Sequence, residues 1–464
     1  IGRGSRAAGF EGLLAPSARG GPGLARSIDD RIDAARVADG RVGVCVLDAE
    51  DGAVLYERLP DETFVPASNM KLITSGAALR VLDPGEPMRT SLVVDGSTLY
   101  IHGSGDPALA DPALLSDMGL SVDGFVDRLA SAVHRTGAAI EEIVIDDSIF
   151  DRMYVHPTWE RADLDKWYGA QVGGVNFHAN VVRLFATPER ESMPPVLHTE
   201  PPCPPCALEN RMRAVGADRA SSMWARREPG GNDIRVHGQV RVGQELSVRV
   251  TTHEPALILG RLLAERLSAL AGDAQDSGAK GGGGTAAADV RLIETDERFD
   301  RERARVAAVV TTPMSTILER CNADSMNLYA EALLKRIGHE RTGQPGSWAN
   351  GAAAIRAEVT RVLGPSAVAG LVVRDGSGLS RENRLTPRML ARWLDAMEDE
   401  PRIGPMFIES LATPSTGTLS RRWRSESPDN DVRAKSGYLT GVLSLSGYVT
   451  HEKSGRRVIF VMLT

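Results

Sequence analysis

The sequence changes character twice along its length, and this interruption constrains the fold more than any single residue does. A short helix is expected at Ile28–Val37. A β-hairpin follows, Val42–Asp48 and Ala53–Glu57 around the turn Asp51-Gly52, and then a helix from Ser68 to Leu82 behind Pro66. From about 86 to 300 short strands dominate (Ser91–Val94, Thr98–His102, Ile143–Asp146), separated by turn clusters and by Pro- and Gly-rich stretches. Helical periodicity returns at Met314–Cys321, Leu328–Ile337, Ala352–Val362 and Pro387–Met397, and a hairpin of Gly441–Thr450 with Val458–Leu463 follows. The pattern predicts an α/β (α+β) fold with one discontinuous domain, 28–85 with 301–464, and β-rich accessory domains inserted at 86–300. At 464 residues the chain exceeds the size at which one hydrophobic core keeps growing, which agrees with such a division. Residues 1–27, rich in Gly, Ala, Arg and Pro, are expected to be a disordered segment, and 272–288, with Gly281 to Gly284, a flexible surface loop.

Composition narrows the function by exclusion. Apolar and charged fractions of 42% and 25% are those of an ordinary globular protein. A formal net charge of −7 and the lack of a long Lys/Arg block argue against a nucleic-acid partner. No run reaches the roughly 18 apolar residues of a membrane span. Ile1 is not an initiator Met and Thr464 falls inside an apolar run, so both ends read as fragment boundaries, and the lack of a signal peptide says nothing about export. Cys203-Pro-Pro-Cys206 has CxxC spacing without a second half-site, so a local disulfide or plain loop thiols fit it better than a redox or zinc role. Cys45 and Cys321, in apolar stretches, read as core residues. The nine histidines show no HExxH-type ligand spacing, and no metal or other cofactor is expected.

Three short motifs carry the chemistry: Ser68-Asn-Met-Lys71 at a helix start, Ser325-Met-Asn327 at a helix–helix junction, and Lys435-Ser-Gly437 before a strand. A serine hydroxyl is a poor nucleophile at neutral pH and needs a base within hydrogen-bonding distance. On a helix, positions three apart share a face, which sets Lys71 one turn from Ser68. Burial beside a second cation would lower the lysine's pKa and leave part of it neutral, able to take a proton. The helix start adds free backbone N–H groups, half of an oxyanion hole, and the strand at Tyr438 offers a second N–H. Ser325 suits a proton relay to a leaving amine, Asn327 a grip on a peptide amide, and Lys435 with Ser436 a grip on a terminal carboxylate. The chain also contains decoys. Ser277-Gly-Ala-Lys280 lies in the Gly-rich loop, and Lys453-Ser-Gly455 at a hairpin tip. Taken alone, Ser68 reads as an ordinary helix N-cap. The ordered triple in matching local context favours catalysis.

With these residues in view, the sequence resembles the class C low-molecular-mass penicillin-binding proteins, the D-alanyl-D-alanine carboxypeptidase/endopeptidases of peptidase family S13. The motif triple is an established signature of serine enzymes acylated by penicillins. Further blocks carry the likeness from about residue 28 to 464: Gly103-Ser-Gly-Asp-Pro-Ala-Leu109, Tyr168-Gly-Ala, Ser325-Met-Asn-Leu-Tyr-Ala-Glu-Ala-Leu333, Asp375-Gly-Ser-Gly-Leu-Ser-Arg381 and Gly417-Thr-Leu419. Ser68 and Ser325 stand 257 positions apart (325 − 68), a gap that this family fills with inserted domains. The resemblance implies a β-lactamase/transpeptidase-like catalytic domain and an exported, periplasmic or cell-wall enzyme. It implies action on peptidoglycan stem peptides ending in D-Ala-D-Ala, and acylation by β-lactams. It also makes Arg381, Tyr168 and Asp163 or Asp165 candidates for a pocket gripping the stem-peptide diamino acid, and it departs from the usual pattern at Ser436, where Thr is common. A β-lactamase or esterase with the same triple, and a non-catalytic peptidoglycan-binding protein, are the alternative functions.

Overall fold

The computed structural model describes residues 22–35, 41–276, 287–294, 297, 304–420 and 429–464. The chain forms two compact units, one built from both ends of the sequence, through Glu86 and again from Pro313, and one running from Pro87 to Thr312.

In the first unit the N-terminal hairpin, Gly43–Asp48 with Val54–Arg58, extends a meander of Asn430–Leu439, Val442–His451 and Arg457–Leu463. All five strands are antiparallel, and Gly43 pairs opposite Leu463, so the two ends of the sequence close one sheet. Helix Met70–Val81 lies in the helical layer, buried at every position from Met70 to Leu79. A helix wrapped by protein on all sides needs no polar stripe, which explains its run of apolar and small residues. Its neighbours are the helices Met314–Asn322, Asn327–Thr342, Trp348–Leu363 and Pro387–Glu398. At Gly76 a Cβ would lie 2.8 Å from Trp393 Nε1, and that indole donates to Leu72 O at 3.0 Å, so the glycine is what lets the tryptophan close on the helix. Ser347 and Asn350 cap one helix start reciprocally, and Thr386 followed by Pro387 starts another.

The second unit has two parts. A five-stranded mixed sheet runs in the order Asp289–Leu292, Glu142–Asp146, Thr98–Gly103, Met88–Asp95, Arg305–Thr312. Its core packs Leu92, Leu99, Ile101, Ile143 and Ile145 against Val126 and Leu129 of helix Val122–His134 and Leu259, Leu262 and Leu263 of helix Pro255–Asp276. The other part pairs two three-stranded sheets, Leu246–Thr251/Val181–Thr187/Val196–Glu200 and Ala207–Val215/Asp233–Arg241/Ser222–Arg227, around Val182, Leu184, Ile234, Val236 and Val250. Strands here alternate buried and exposed residues, the pattern of a sheet with one wet face. Cys203 and Cys206 form a disulfide, and Cys45 and Cys321 are buried free thiols.

Several expectations need correction. Helix Pro22–Ala34 begins inside the segment read as disordered and ends short of Val37; residues 1–21 and 36–40 lie outside the described residues. Residues 305–312, assigned from sequence to the discontinuous domain, belong to the second unit, because Arg305–Thr312 is an edge strand paired with Met88–Asp95. The insert is not β-rich throughout, since the 22-residue helix Pro255–Asp276 covers its sheet. That helix also runs into the stretch read as a flexible loop, of which 277–286, with Ser277 and Lys280, lie outside the described residues. Among the described residues no helix is long and apolar enough to cross a membrane.

Candidate active site

The turn before helix Met70–Val81 is a short 3₁₀ segment, Ala67–Asn69, that carries Ser68 half-buried at its centre. Ala67 adopts φ +45°, a left-handed conformation that costs a non-glycine residue roughly 1–3 kcal/mol and persists only where neighbours hold it. Three contacts do so. Ser444 Oγ donates to Pro66 O at 2.8 Å, and Asn69 Nδ2 donates to Lys435 O at 3.1 Å and to Ser446 Oγ at 3.3 Å. Two glycines press on the turn from separate segments. A Cβ at Gly437 would lie 2.8 Å from Ser68 N, and one at Gly378 would lie 1.7 Å from Ala67 O. Strand Asn430–Leu439 and the loop at 375–381 therefore approach Ser68 as bare backbone.

Lys71 is fully buried, and its Nζ meets three oxygens: Asn327 Oδ1 at 2.6 Å, Ser377 O at 2.9 Å and Ser68 Oγ at 3.1 Å. Burial pulls its pKa down from 10.5 to about 8, against Cys321, Glu331 and Asp375, which raise it. Cys321 is itself pushed up to about 12, first by burial, so near pH 8 it is a neutral thiol and the two carboxylates carry the opposing field. The second cation expected from sequence is not what depresses Lys71; desolvation does.

Asn327 opens helix Asn327–Thr342, and Ser325, at φ +61° on the preceding turn, reverses the chain between two helices. Lys435 is fully buried, with Nζ donating to Ser436 O at 2.9 Å, and Ser436 Oγ donates to Thr418 Oγ1 at 3.1 Å. Gly417 (φ +57°) lets the Thr418 segment lie on Ala323, where a Cβ would come within 2.4 Å of Ala323 O. Ser68, Lys71, Asn327, Lys435, Ser436 and Gly437 are thus linked by bonds and contacts within one unit, while the decoy Lys453 sits in a hairpin turn paired with Asp429.

The sequence model of the D-Ala-D-Ala carboxypeptidase 3 (S13) family matches residues 24–464. The chain belongs to that family. It is a serine-type hydrolase acting on peptidoglycan stem peptides. A D-alanyl-D-alanine carboxypeptidase of an Actinomadura species is 31% identical over 428 residues, covering 88% of this chain and 74% of that protein. A carboxypeptidase of Mycobacterium tuberculosis is 24% identical over 435 residues, covering 92% of this chain and 76% of that protein. The fold is that of penicillin-binding protein 4 from Haemophilus influenzae, with a TM-score of 0.74 at 18% identity over 94% of this chain and 92% of that one.

The outer candidates of this S13 chain divide between the units. Arg381 is exposed in the first unit, its Nη2 donating to Thr440 O at 2.9 Å one residue past the Lys435–Leu439 strand segment. Tyr438 in that strand is 64% exposed, so its side chain faces solvent. Tyr168 and Asp163 lie in the second unit and bond to each other, hydroxyl to carboxylate at 2.9 Å; burial and that carboxylate push the phenol up to about 12. Asp165 instead accepts the Arg227 backbone N–H at 3.3 Å.

Asn69, Thr418, Ser377 and Glu331 stand inside the sequence motifs but have no role assigned from them. Glu331 is fully buried and accepts from Gly376 N at 2.9 Å, Ser377 N at 2.8 Å and Trp348 Nε1 at 2.8 Å. Asp375 accepts from Gly378 N at 2.9 Å, Ser380 N at 2.6 Å and Asn383 Nδ2 at 2.7 Å, folding the loop that reaches Ala67. One signal was available: Glu331 sits inside the largely apolar run Leu328-Tyr-Ala-Glu-Ala-Leu-Leu334, although Asn327 and Lys335, four positions away on either side, share its helix face.

Proposed function

We propose that the protein is a serine D-Ala-D-Ala carboxypeptidase in which Ser68 attacks the carbonyl between the two terminal D-alanines. Lys71 takes the hydroxyl proton. The single observation that carries this reading is the buried Lys71 Nζ, 3.1 Å from Ser68 Oγ and depressed to a pKa of about 8, where an amine is available as a base. Attack gives a tetrahedral oxyanion facing the backbone N–H groups of Ser68 and Tyr438, donors fixed before reaction begins. Ser325 passes the proton to the departing D-alanine nitrogen, leaving an ester on Ser68. Water, deprotonated by the same lysine, then hydrolyses that ester and restores the serine.

Substrate grip follows from the rest of the site. Asn327 holds Lys71 and meets the peptide amide. Ser436, its hydroxyl tied to Thr418, binds the terminal carboxylate, with the buried charge of Lys435 behind it. Arg381, exposed beside strand Asn430–Leu439, recognises the side chain of the stem-peptide diamino acid. The unit made of both chain ends, expected at 28–85 and 301–464, is the catalytic domain, and the inserted residues are accessory. Because the substrate is cell-wall peptide, the enzyme works outside the cytoplasm, in the periplasm or at the wall.

The test is labelling with a fluorescent penicillin, followed by peptide mass spectrometry. A stable adduct on Ser68, absent from the Ser68→Ala variant, is expected. An adduct on another residue, or folded protein that neither labels nor consumes penicillin, overturns the assignment.

A further inference from the structure

We propose that Glu331 is a positioning residue for this reaction: by holding the backbone of Gly376 and Ser377 it aims the Ser377 carbonyl at Lys71 and so turns the lysine's lone pair toward Ser68. The inference rests on the reading of Lys71 as the base. A neutral amine has two N–H bonds and one lone pair. Of the three oxygens around Nζ, Asn327 Oδ1 at 2.6 Å and Ser377 O at 2.9 Å can only accept, whereas the Ser68 hydroxyl at 3.1 Å can donate. With both acceptors in place the two N–H bonds are taken, and the lone pair has one direction left, toward the Ser68 proton.

Both acceptors trace to one helix. Asn327 supplies its oxygen directly, and Glu331, four positions on and so on the same face, supplies the other through Ser377. Each Glu331 oxygen receives N–H donors: Ser377 N on Oε1, and Gly376 N and Trp348 Nε1 on Oε2. Three donors suit a carboxylate and leave a protonated acid with nothing to donate to. Burial and then Asp375 push the pKa of Glu331 up while these donors pull it down, and the three N–H groups aimed at its oxygens are what hold it as a carboxylate beside Lys71. A brace for a loop does not require a buried charge, which is costly to desolvate; a field at Lys71 does. The groups that face Lys71 electrostatically are Cys321, Glu331 and Asp375, and the carboxylates raise it against its burial.

The experiment measures acylation of the full chain by a fluorescent penicillin from pH 6 to 10, resolving the limiting acylation rate from non-covalent affinity, for wild type, Glu331→Gln and Glu331→Asp. In Glu331→Gln the limiting rate is expected to fall roughly 10- to 100-fold, the scale of a misaligned catalytic group, with affinity within about threefold. Its pH midpoint moves to lower pH, because a negative charge has left the neighbourhood of Lys71. Glu331→Asp keeps the charge, so its midpoint stays and its rate lies between the other two. A wild-type limiting rate in Glu331→Gln overturns the proposal. So does a slowed variant whose midpoint has not moved and which Asp does not improve, the behaviour of packing damage. Should Glu331→Gln fail to fold, Glu331→Asp decides: its shortened side chain must slow acylation at an unmoved midpoint, and a wild-type rate there overturns the idea. Ser68→Ala runs in parallel; label persisting in it refutes the nucleophile itself, a result separable from any failure of Glu331.

Discussion

Gly437→Ala asks whether strand Asn430–Leu439 must approach the proposed nucleophile, Ser68, as bare backbone. A Cβ there would lie 2.2 Å from Ser444 Oγ, 2.8 Å from Ser68 N and 3.1 Å from Ala67 Cβ, where ordinary contact starts at 3.4 Å. The serine can rotate away at the loss of its 2.8 Å bond to Pro66 O, a cost of about 1 kcal/mol. Ser68 N is backbone and can only retreat with its turn, by about 0.6 Å to reach 3.4 Å from 2.8 Å. That retreat is opposed from Gly378, which already lies close against Ala67 O. Overpacking of this kind costs roughly 1–3 kcal/mol and lowers the melting temperature without unfolding the chain.

The larger effect falls on acylation. The new methyl sits against the Ser68 N–H, one of the two proposed oxyanion donors, and the displaced turn carries Oγ away from Lys71. Loss of one such donor, or a misplacement of the order of 1 Å, each costs about 100-fold. Acylation by a fluorescent penicillin, read beside a thermal melt, should therefore fall at least about 100-fold in a protein that still melts cooperatively. A folded variant within threefold of wild type refutes the reasoning. The double variant Gly437→Ala/Ser444→Ala separates the two clashes: it removes the 2.2 Å contact and keeps the 2.8 Å one. Recovered stability with a persistently low rate is expected; recovery of both would assign the loss to Ser444 rather than to the N–H at Ser68.

Three further outcomes are expected. Lys71→Ala should lower acylation by roughly 100- to 10,000-fold, and in wild type the rate should rise with pH to a plateau with its midpoint near 8, since burial lowers Lys71 from 10.5 to about 8 and the proton must leave before the amine can accept one; a rate flat from pH 6 to 10 contradicts this. Ser436→Thr keeps the hydroxyl that bonds Thr418 and should change acylation by less than about tenfold, whereas Ser436→Ala, which leaves Thr418 without that partner, should weaken peptide hydrolysis more, on the scale of a lost bond to a charged group. Arg381→Ala should slow hydrolysis of a stem peptide while leaving penicillin acylation within about threefold, because its bond to Thr440 O holds it beside the strand rather than at the nucleophile; equal losses on both substrates would deny it a role in specificity.

The residues legible in the sequence are those whose chemistry comes with its own local context. A serine after Pro66 at a helix start, with a lysine one turn on, and a Lys-Ser-Gly triple in a β-rich stretch can each be recognised within a few positions, although Lys435 lies inside strand Asn430–Leu439 rather than before a strand as read from sequence. Thr418 and Ser377 have no such context. Their roles come from contacts with Ser436 and Lys71, the latter across 306 positions, and no local pattern encodes a pairing at that distance. The boundary set at 300 rather than 312 has a related cause. Arg305-Val-Ala-Ala-Val-Val-Thr-Thr312 is an apolar strand running directly into the helix at Met314, with no linker composition to mark where one unit ends. Helix Pro255–Asp276 is a different case, since Leu259, Leu262, Leu263 and Leu267 repeat at helical spacing and bury together. Here the periodicity is present in the sequence, and reading the region as β-rich leaves it out.

Glu331 lies between these extremes. Its partners are remote in sequence, yet its incongruity is local, an acid in a helix that buries Leu328, Tyr329, Ala330, Ala332, Leu333 and Leu334 around it. A charge without access to water has to be held by donors, and the stretch able to supply them without side chains is a glycine-rich one. Asp375-Gly-Ser-Gly378 is such a stretch, and its backbone is what Glu331 holds. The same backbone presents the carbonyl of Ser377 to Lys71 and the α-carbon of Gly378 to Ala67, so one loop fixes both the proposed base and the turn that carries the proposed nucleophile. Burial of an acid in a Leu- and Ala-rich helix is therefore a sequence signal for a loop that must be positioned, even where the loop itself cannot be named in advance.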